Sequence, residues 1–353
     1  MHDVLVVGAG PSGSWAGMRC AEKGLDVLML DAARFPRDKA CGGIVGETAV
    51  RLIGNDVLSL LEAEGHGNEL FFDWQPIGFI GRHEYYFKRR RFDHYLVRRA
   101  QASGAKLLED RRVTKVDVRP EGVVVEANGE THEAHLVIGA EGTNSVVGRS
   151  VRLTHHDGPY KYASIKAEID LTPEQIARLG VHDPPHQKTY FFSDLLGFGW
   201  IVANERSVNA GLGAMMRHAN GLRPRFLDFL RRVDLPPQDV RGAQIPYLPL
   251  RRVYADRVLL TGDAGGFVNP WTGCGIDDGI LASERAAEVA KLAVDRADFT
   301  AATLRQFQDA SRDHLRWIVK RGRWMKGLDL IMPVGKRFPR WVKHIVRIAA
   351  QWA

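Results

Sequence analysis

The stretch GAGPSG, Gly8–Gly13, decides the fold of this chain of 353 residues. It follows an apolar, strand-like run and leads into a helical pattern over Pro11–Lys23, so its glycines fall at a strand-to-helix turn. In such a turn Gly8 permits the sharp bend, Gly10 lets the backbone approach a pyrophosphate, and Gly13 allows the helix to pack closely on the strand. Free N–H groups at the start of the helix face that anion. The pattern predicts a Rossmann-like nucleotide-binding fold.

An acidic residue at the end of the next strand narrows the choice of nucleotide. The apolar run Leu25–Leu30 ends at Asp31, which lies about 20 residues after the glycine turn. A carboxylate at this position accepts hydrogen bonds from an adenosine ribose and disfavours a 2′-phosphate. The sequence therefore predicts FAD or NAD rather than NADP.

A second glycine-rich segment, TGDAGGFVNPWTGCGI (Thr261–Ile276), follows another strand-like run far along the chain. Asp263 lies where a carboxylate can bind ribityl hydroxyls, and Gly273 and Gly275 form a turn of bare backbone before a helix that begins near Ile276. The N-terminus of that helix, directed at the N1/C2=O edge of a flavin, would favour the anionic reduced form by roughly 0.3–2 kcal/mol. The two segments together indicate the two ends of one FAD molecule.

The length and composition bound the class of protein. A chain of this length forms about two domains. No apolar run reaches about 18 residues, so the sequence predicts neither a transmembrane helix nor a signal peptide. The cysteines are odd in number and well separated, which favours a reducing, cytoplasmic location: Cys20, Cys41 and Cys274. We expect no metal site, because the histidine pairs lack a ligand framework: His155, His156, His182 and His186.

The net charge of +7 belongs to the C-terminal part of the chain. Between Ser311 and Arg347 there are eleven Lys and Arg residues and only two acidic residues, Asp313 and Asp329. The tail also contains four tryptophans and two prolines: Trp317, Trp324, Trp341, Trp352, Pro333 and Pro339. Basic amphipathic helices that bear tryptophan suit an anionic membrane surface. The alternative is a helical cap whose aromatic side chains pack on the body. No nucleic-acid motif accompanies the charge, so we do not expect a nucleic-acid partner.

The order of the remaining elements indicates a discontinuous α/β protein. Helical patterns cover Glu47–Leu61 and Arg89–Ala102, and a run of short strands follows over 113–140. Longer alternating strands then characterise 162–214, before the chain returns to a strand that feeds the second glycine segment. This order predicts two domains and a tail.

The predicted fold is α/β, with a discontinuous Rossmann-like FAD-binding domain, an antiparallel-sheet substrate domain and a C-terminal helical tail. The FAD-binding domain comprises residues 1–45, 85–155 and 252–300. The substrate domain comprises residues 46–84 and 156–251, and the basic tail comprises residues 301–353.

Two further stretches make the chain resemble the geranylgeranyl reductase family of the para-hydroxybenzoate-hydroxylase-like flavoproteins. These are PRDKACGG (Pro36–Gly43) and GFGWIVANERSVNAGLG (Gly197–Gly213), and the resemblance extends from Met1 to about Thr300. The resemblance implies that a set of residues contacts FAD: Ser12, Asp31, Cys41, Gly42, Arg89, Val113, Asp263, Gly275 and Ile276.

The resemblance also implies a reaction, in which reduced FAD gives a hydride from N5 to an alkene carbon of a prenyl chain. An unactivated double bond is a poor hydride acceptor, so positioning and exclusion of water must contribute much of the effect. Aromatic residues suit such a pocket, and Trp200 is the candidate for its wall, with Phe191, Phe192 and Phe198 near it in sequence. The alternative is that these aromatic residues, at strand spacing, only fill the core. Cys41 is a candidate proton donor, because Lys39 could lower its thiol pKa; a cysteine that only touches FAD is the alternative.

The source of electrons stays open at this point. Related hydroxylases carry an Asp-Gly pair that helps to bind FAD and transient NADPH, whereas this chain has Glu141-Gly142. No second dinucleotide fold is visible, so the reductant is NAD(P)H bound transiently or an electron-donor protein. Other functions remain in competition with the reductase. They are a group A flavin monooxygenase acting on an aromatic or quinone-like substrate, a flavin halogenase, and a non-enzymatic electron-transfer module.

Overall fold

The structure is a computed structural model that describes residues 1–154, 161–181, 186–195, 197–204, 206–335 and 344, with side chains through residue 324 and at 344. The strands, in chain order, are β1 His2–Val7, β2 Val27–Leu30, β3 Ile44–Gly46, β4 Ala63–Phe72, β5 Gln75–Tyr86, β6 Lys106–Leu108, β7 Val113–Val118, β8 Val123–Ala127, β9 Glu130–Gly139, β10 Lys161–Asp170, β11 Gln187–Phe191, β12 Gly197–Ala203, β13 Ser207–Met215, β14 Arg241–Pro246, β15 Tyr254–Ala255 and β16 Val258–Leu260. The α-helices are α1 Pro11–Glu22, α2 Glu47–Ile53, α3 Arg89–Ala102, α4 Val146–Ser150, α5 Pro173–Arg178, α6 Leu222–Arg232, α7 Gly262–Gly265, α8 Ile276–Arg296, α9 Ala301–Ala310 and α10 Arg312–Gly335. Short 3₁₀ helices cover Asn55–Leu60 and Met216–His218.

The chain divides into two compact units. The first unit comprises residues 1–38, 90–156 and 246–320, and the second comprises residues 39–89, 157–245 and 321–353. The predicted division by role, into an FAD-binding and a substrate domain, stays a prediction.

A mostly parallel sheet forms the centre of the first unit. Its strand order is β15-β16-β9-β1-β2-β6, and the hairpin of β7 and β8 continues from β9. Strands β16, β9, β1, β2 and β6 pair in parallel. Because parallel strands end at the same edge, the residues that follow β1, β2 and β16 meet there. This edge positions the candidate cofactor site.

Helices α1 and α8 cross the sheet of the first unit side by side. Glu284 on α8 accepts hydrogen bonds from Trp15 Nε1 and Arg19 Nε on α1, each at 2.9 Å. Strand β2 is buried along its whole length, Val27–Leu30. It is apolar throughout, as is usual for strands of a parallel sheet that are covered on both faces.

The second unit contains a largely antiparallel sheet, in the order β14-β10-β13-β12-β11-β4-β5-β3. Strands β10, β13, β12 and β11 pair antiparallel, and β11 pairs in parallel with β4. One face of this sheet packs on α5 and α6 through an apolar cluster that includes Ile176, Phe226 and Leu230. Side chains alternate along a strand, so every second residue of β11, β12 and β13 lies on the other face.

The structure confirms the fold class and most elements predicted from sequence. The helix predicted over Arg89–Ala102 has those bounds, and the alternating strands after residue 160 are β10 to β13. One prediction is wrong in its extent: the helix over Glu47–Leu61 ends at Ile53, because Gly54 adopts a left-handed φ of 102°. The 3₁₀ helix Asn55–Leu60 follows it.

The predicted helical tail corresponds to α9 and α10. Leu315 and Ile318 on α10 are buried, whereas Trp324 is 53% exposed. Trp341, Trp352 and Pro339 lie outside the described residues. Within the described part of the chain, no helix combines the length and the apolar character that a membrane span requires.

Candidate functional site

The two glycine segments meet in the first unit. Ser12, in the first segment, has its hydroxyl against Gly262 and Gly279, where a methyl group on either glycine would overlap it. A Cβ on Gly13 would likewise overlap the carbonyl oxygen of Gly8, so helix α1 starts as close to β1 as a bare backbone allows. The two segments therefore pack against each other in the first unit through Ser12 and Gly262, and their role in one cofactor site stays a prediction.

Asp31 lies at the end of β2, as the sequence predicts. Its Oδ2 accepts a hydrogen bond from the Ala9 N–H at 2.7 Å, and its Oδ1 accepts one from the Ala33 N–H at 2.8 Å. These bonds fix the carboxylate beside the glycine turn. Each oxygen retains a second lone pair, so the fixed carboxylate can still accept a ribose hydroxyl.

The second segment forms a short helix, a turn and then a long helix. Asp263 lies in the first turn of α7, and its Oδ1 lies 3.0 Å from the position that a Cβ on Gly275 would take. Gly275 is the N-cap of α8, which begins at Ile276. The site therefore combines a carboxylate with the positive end of the dipole of a helix 21 residues long.

Asn269 organises the turn between α7 and α8. Its backbone N–H donates to the carbonyl oxygen of Cys274 and its own carbonyl accepts from Gly273 N–H, both at 2.9 Å. Its side-chain Oδ1 accepts from Trp271 N–H at 3.0 Å. This residue was not predicted from sequence, although an asparagine between glycines is a common sign of a side chain that caps a turn.

Arg37 is a second functional candidate that the sequence did not reveal. Its Nη1 lies 3.0 Å from Asp93 Oδ2 of α3, and the side chains are 18% and 0% exposed. Its Nη2 lies 3.6 Å from the position of a Cβ on Gly10, so the guanidinium covers the first glycine turn. Nη1 is buried and makes no hydrogen bond among the described atoms. A basic residue six positions after Asp31 was the available signal.

These residues fit FAD. A fixed carboxylate is available for the ribose at Asp31, and the Arg37 guanidinium, whose Nη1 pairs with Asp93, places its Nη2 beside Gly10. Glycines at the turn leave room for a pyrophosphate, and Asp263 and the start of α8 present complementary groups for the rest of the cofactor. Val113 begins β7 and is 7% exposed.

Glu141, which replaces the aspartate of related hydroxylases, points into the protein. Its Oε1 accepts from the Ser145 hydroxyl and the Val147 N–H, each at 2.8 Å, at the start of α4. Its Oε2 is buried and makes no hydrogen bond among the described atoms. Burial raises the pKa of this carboxyl group above its ordinary 4.5, although the hydrogen bonds oppose that change. The carboxyl group therefore serves to cap the start of α4.

An aromatic face lies on the sheet of the second unit. The six-membered ring of Trp200 covers Gly211 of the neighbouring strand, where any Cβ would overlap it. Phe198 lies 6.0 Å from Trp200 between ring centroids, and Phe191 lies 6.1 Å from Phe198. Phe192, which the sequence grouped with them, belongs instead to the apolar cluster under α5 and α6. The face thus comprises Phe191, Phe198 and Trp200.

Cys41 lies in the same unit, in the loop before β3. Its Sγ accepts from the Gly43 N–H at 3.4 Å, and its carbonyl oxygen accepts from Asn209 Nδ2 at 3.1 Å. A Cβ on the next residue, Gly42, would lie 3.7 Å from Trp200 Nε1. The structure therefore places the cysteine loop at the edge of the Trp200 ring.

The predicted site residues are distributed over both units. Those in the first unit are Gly8, Gly10, Ser12, Gly13, Asp31, Val113, Asp263, Gly273, Gly275 and Ile276, and those in the second are Cys41, Gly42, Arg89 and Trp200. Arg89 is the first residue of α3. The described residues contain no group of three His, Cys, Asp or Glu side chains arranged for a metal ion. His155, His156 and His182 lie outside the described residues.

Comparisons with known proteins identify the family of the chain. The model of the FAD binding domain family matches residues 1–182. Digeranylgeranylglycerophospholipid reductase 2 of Methanopyrus kandleri is 32% identical over an alignment of 357 positions, which covers 92% of this chain and 84% of that protein. Menaquinone reductase of Mycobacterium tuberculosis is 31% identical over an alignment of 316 positions, which covers 81% of this chain and 76% of that protein.

Solved structures share the fold. A geranylgeranyl bacteriochlorophyll reductase-like protein from Thermoplasma acidophilum superposes with a TM-score of 0.80 at 22% identity, over 91% of this chain and 85% of that chain. A probable FAD-dependent monooxygenase from Pseudomonas aeruginosa, pqsL, superposes with a TM-score of 0.72 at 19% identity, over 91% and 94% of the two chains. The fold therefore does not by itself separate a reductase from a monooxygenase.

Proposed function

The chain belongs to the FAD-dependent oxidoreductases of the geranylgeranyl reductase family, and on that premise we propose that it reduces carbon–carbon double bonds in a prenyl or other lipid-like substrate. Relatives at 32% and 31% identity are named, respectively, for a phospholipid with geranylgeranyl chains and for menaquinone. Both kinds of molecule carry prenyl chains. The observation that carries the proposal is the aromatic face of Phe191, Phe198 and Trp200, whose neighbouring rings are tilted by 53° and 54° and together offer apolar surface.

The residues of the first unit would hold the cofactor. Asp31 would bind the adenosine ribose, Arg37 and the turn at Gly10 the pyrophosphate, and Asp263 the ribityl hydroxyls. When bound, FAD supplies a hydride from N5 for one carbon of the double bond. The start of α8 would favour the reduced flavin by roughly 0.3–2 kcal/mol, or about 20 mV of potential for each kcal/mol.

The residues of the second unit would orient the substrate and deliver the proton. An unactivated alkene has no polar group to bind, so its position depends on contact with Trp200 and its aromatic neighbours and on exclusion of water. Cys41, whose carbonyl is tied to Asn209, is the candidate donor of the proton that the second carbon needs. The thiolate that remains would be reprotonated from solvent.

The tail and the electron donor complete the proposal. Exposed Arg316, Arg323 and Trp324 suit an anionic membrane, where a lipid substrate resides. Exchange of both arginines for glutamate should reduce co-flotation with anionic liposomes, whereas exchange of Arg231 on α6 should not, and equal flotation would rule out this role. The donor is either NAD(P)H or a reduced protein, and comparison of flavin reduction rates with each distinguishes them.

The function is tested by product mass. The flavoprotein is supplied with a chemical reductant under argon and incubated with a phospholipid and with a quinone that carry prenyl chains. The reductase gives a product two hydrogens heavier for each double bond reduced. The alternative is a flavin monooxygenase, which needs oxygen and gives a product one oxygen heavier, so the incubation is repeated in oxygen with an aromatic substrate. An oxygenated aromatic product, without any reduced prenyl lipid under argon, would overturn the proposal.

A further inference from the structure

Asn209 is an amide side chain in the buried strand β13, whose other polar residue is Ser207. Every residue of β13 is buried, and Asn209 itself is 8% exposed. Burial of an amide is costly unless each of its donors and acceptors finds a partner. The position of Asn209 therefore calls for an explanation in terms of what its amide holds.

The amide of Asn209 is fully engaged. Its Oδ1 accepts from Trp200 Nε1 at 2.9 Å. Its Nδ2 donates to the carbonyl oxygen of Cys41 at 3.1 Å and to Glu168 Oε2 at 3.0 Å. The chemistry fixes the orientation of this amide, because an indole nitrogen only donates and a carbonyl oxygen only accepts. Neither aspartate, which lacks donors, nor leucine, which lacks both, could reproduce the three bonds.

Glu168 holds Asn209 from the other side. Glu168 lies opposite Asn209 in the register of β10 and β13. Its Oε1 accepts from the Ser207 hydroxyl at 3.2 Å, and its Oε2 lies 3.1 Å from Lys166 Nζ. With the carboxylate anchored in this way, the amide of Asn209 has one orientation. The indole and the cysteine loop are consequently held in a fixed relationship.

We propose that Asn209 is a positioning residue for the reduction, because it fixes the Trp200 indole and the Cys41 backbone relative to each other and so sets how the Cys41 thiol is presented beside the aromatic face. This inference rests on the proposed function for its catalytic meaning. The physical part, a clamp on the cysteine loop, stands on the hydrogen bonds of the second unit alone.

Alkylation of Cys41 tests the clamp without any turnover. Iodoacetamide modification is followed by peptide mass spectrometry over a range of pH, which reports each cysteine separately. In Asn209→Ala the loop is released, and Cys41 should react about five- to thirtyfold faster than in the wild type, the ratio that loss of one or two buried hydrogen bonds produces. Trp200→Phe, which keeps the bond to the Cys41 carbonyl, should give a smaller increase.

Cys20 serves as an internal control in the alkylation experiment. Cys20 is fully buried, and burial raises its pKa to about 12, so it should stay unmodified in any folded variant. If Asn209→Ala exposes Cys20, the comparison is made with Asn209→Ser, which is polar but too short for all three bonds. Arg225→Gln, which breaks an exposed ion pair with Asp194 in the same unit, should leave Cys41 reactivity within about twofold of wild type. Equal Cys41 rates in wild type and a folded Asn209 variant would overturn the inference.

Steady-state kinetics separate this inference from the proposed function. With a prenyl substrate, the Asn209 variant should both raise KM, through Trp200, and lower kcat, through Cys41, whereas Trp200→Phe should mainly raise KM. A faster Cys41 with unchanged kcat and KM would contradict the positioning role. Failure of the wild type to reduce any prenyl lipid would instead refute the proposed function, and the alkylation result would still decide the clamp.

Discussion

The Ser12 hydroxyl occupies the position that a side chain on Gly279 would take, so the first glycine segment interlocks here with helix α8, which follows the second segment. Gly279→Ala would force the hydroxyl aside, and overpacking of this kind costs about 1–3 kcal/mol. We expect lower FAD content and a lower free energy of unfolding. Adding Ser12→Ala removes the overlapping oxygen, so the double variant should recover much of the loss. Flavin absorbance per protein and urea unfolding measure both effects. If the two substitutions simply add, the interlock is wrong.

Arg37 should contribute to cofactor affinity through its charge above the first glycine turn. Arg37→Gln removes a cation from beside Gly10 and should weaken FAD binding by about tenfold or more, since hydrogen bonds to charged groups contribute about 1.5–3 kcal/mol. Arg34→Gln is the matched control, because Arg34 is 79% exposed and pairs with Asp110 at the surface. Titration of the apoprotein with FAD measures the two dissociation constants. Equal constants for both variants would exclude Arg37 from the site.

Much of the first unit could be predicted from sequence, because each of its signals is local. Spacing along the chain was enough to predict the glycine turn Gly8–Gly13, the acidic residue Asp31 and the turn before Ile276. Strands β4 and β5 were not predicted, since Gly65 and Gly67 and two register shifts interrupt their alternation. The role of Asn209 could not be predicted from the sequence either. Its hydrogen-bond partners lie in the Cys41 loop, β12 and β10, which are brought together only in the folded protein.

The buried carboxyl group of Glu141 predicts a pH-dependent stability. Burial raises its pKa in the native state, so the native protein binds this proton more tightly than the unfolded chain does. The stabilisation is complete below the ordinary pKa of 4.5 and is lost as the pH rises through the native pKa. Glu141→Gln stays neutral throughout. Relative to this variant, the wild type should lose about 1.4 kcal/mol for each unit by which the pKa is raised. A difference in the free energy of unfolding between the two proteins that stays constant from pH 4 to pH 8 would contradict this prediction.

Gly211 should matter for substrate rather than for cofactor. Gly211→Ala places a methyl group inside the Trp200 ring and must lift the indole from the sheet. We expect KM for a prenyl substrate to rise several-fold, while flavin content stays at the wild-type level. Gly81→Ala on β5 is the control, since no atom lies within 4 Å of its added Cβ. A KM unchanged by Gly211→Ala would remove Trp200 from the substrate surface.

The central claim, reduction of an alkene, is tested most directly by reoxidation of the flavin under argon. The protein is reduced stoichiometrically, freed of excess reductant and mixed with a lipid that carries prenyl chains, and the visible absorbance of oxidised FAD is followed. The account predicts that this absorbance returns without oxygen, with one double bond reduced for each FAD oxidised. Absorbance that returns only when oxygen is admitted, with the lipid unchanged, would contradict it.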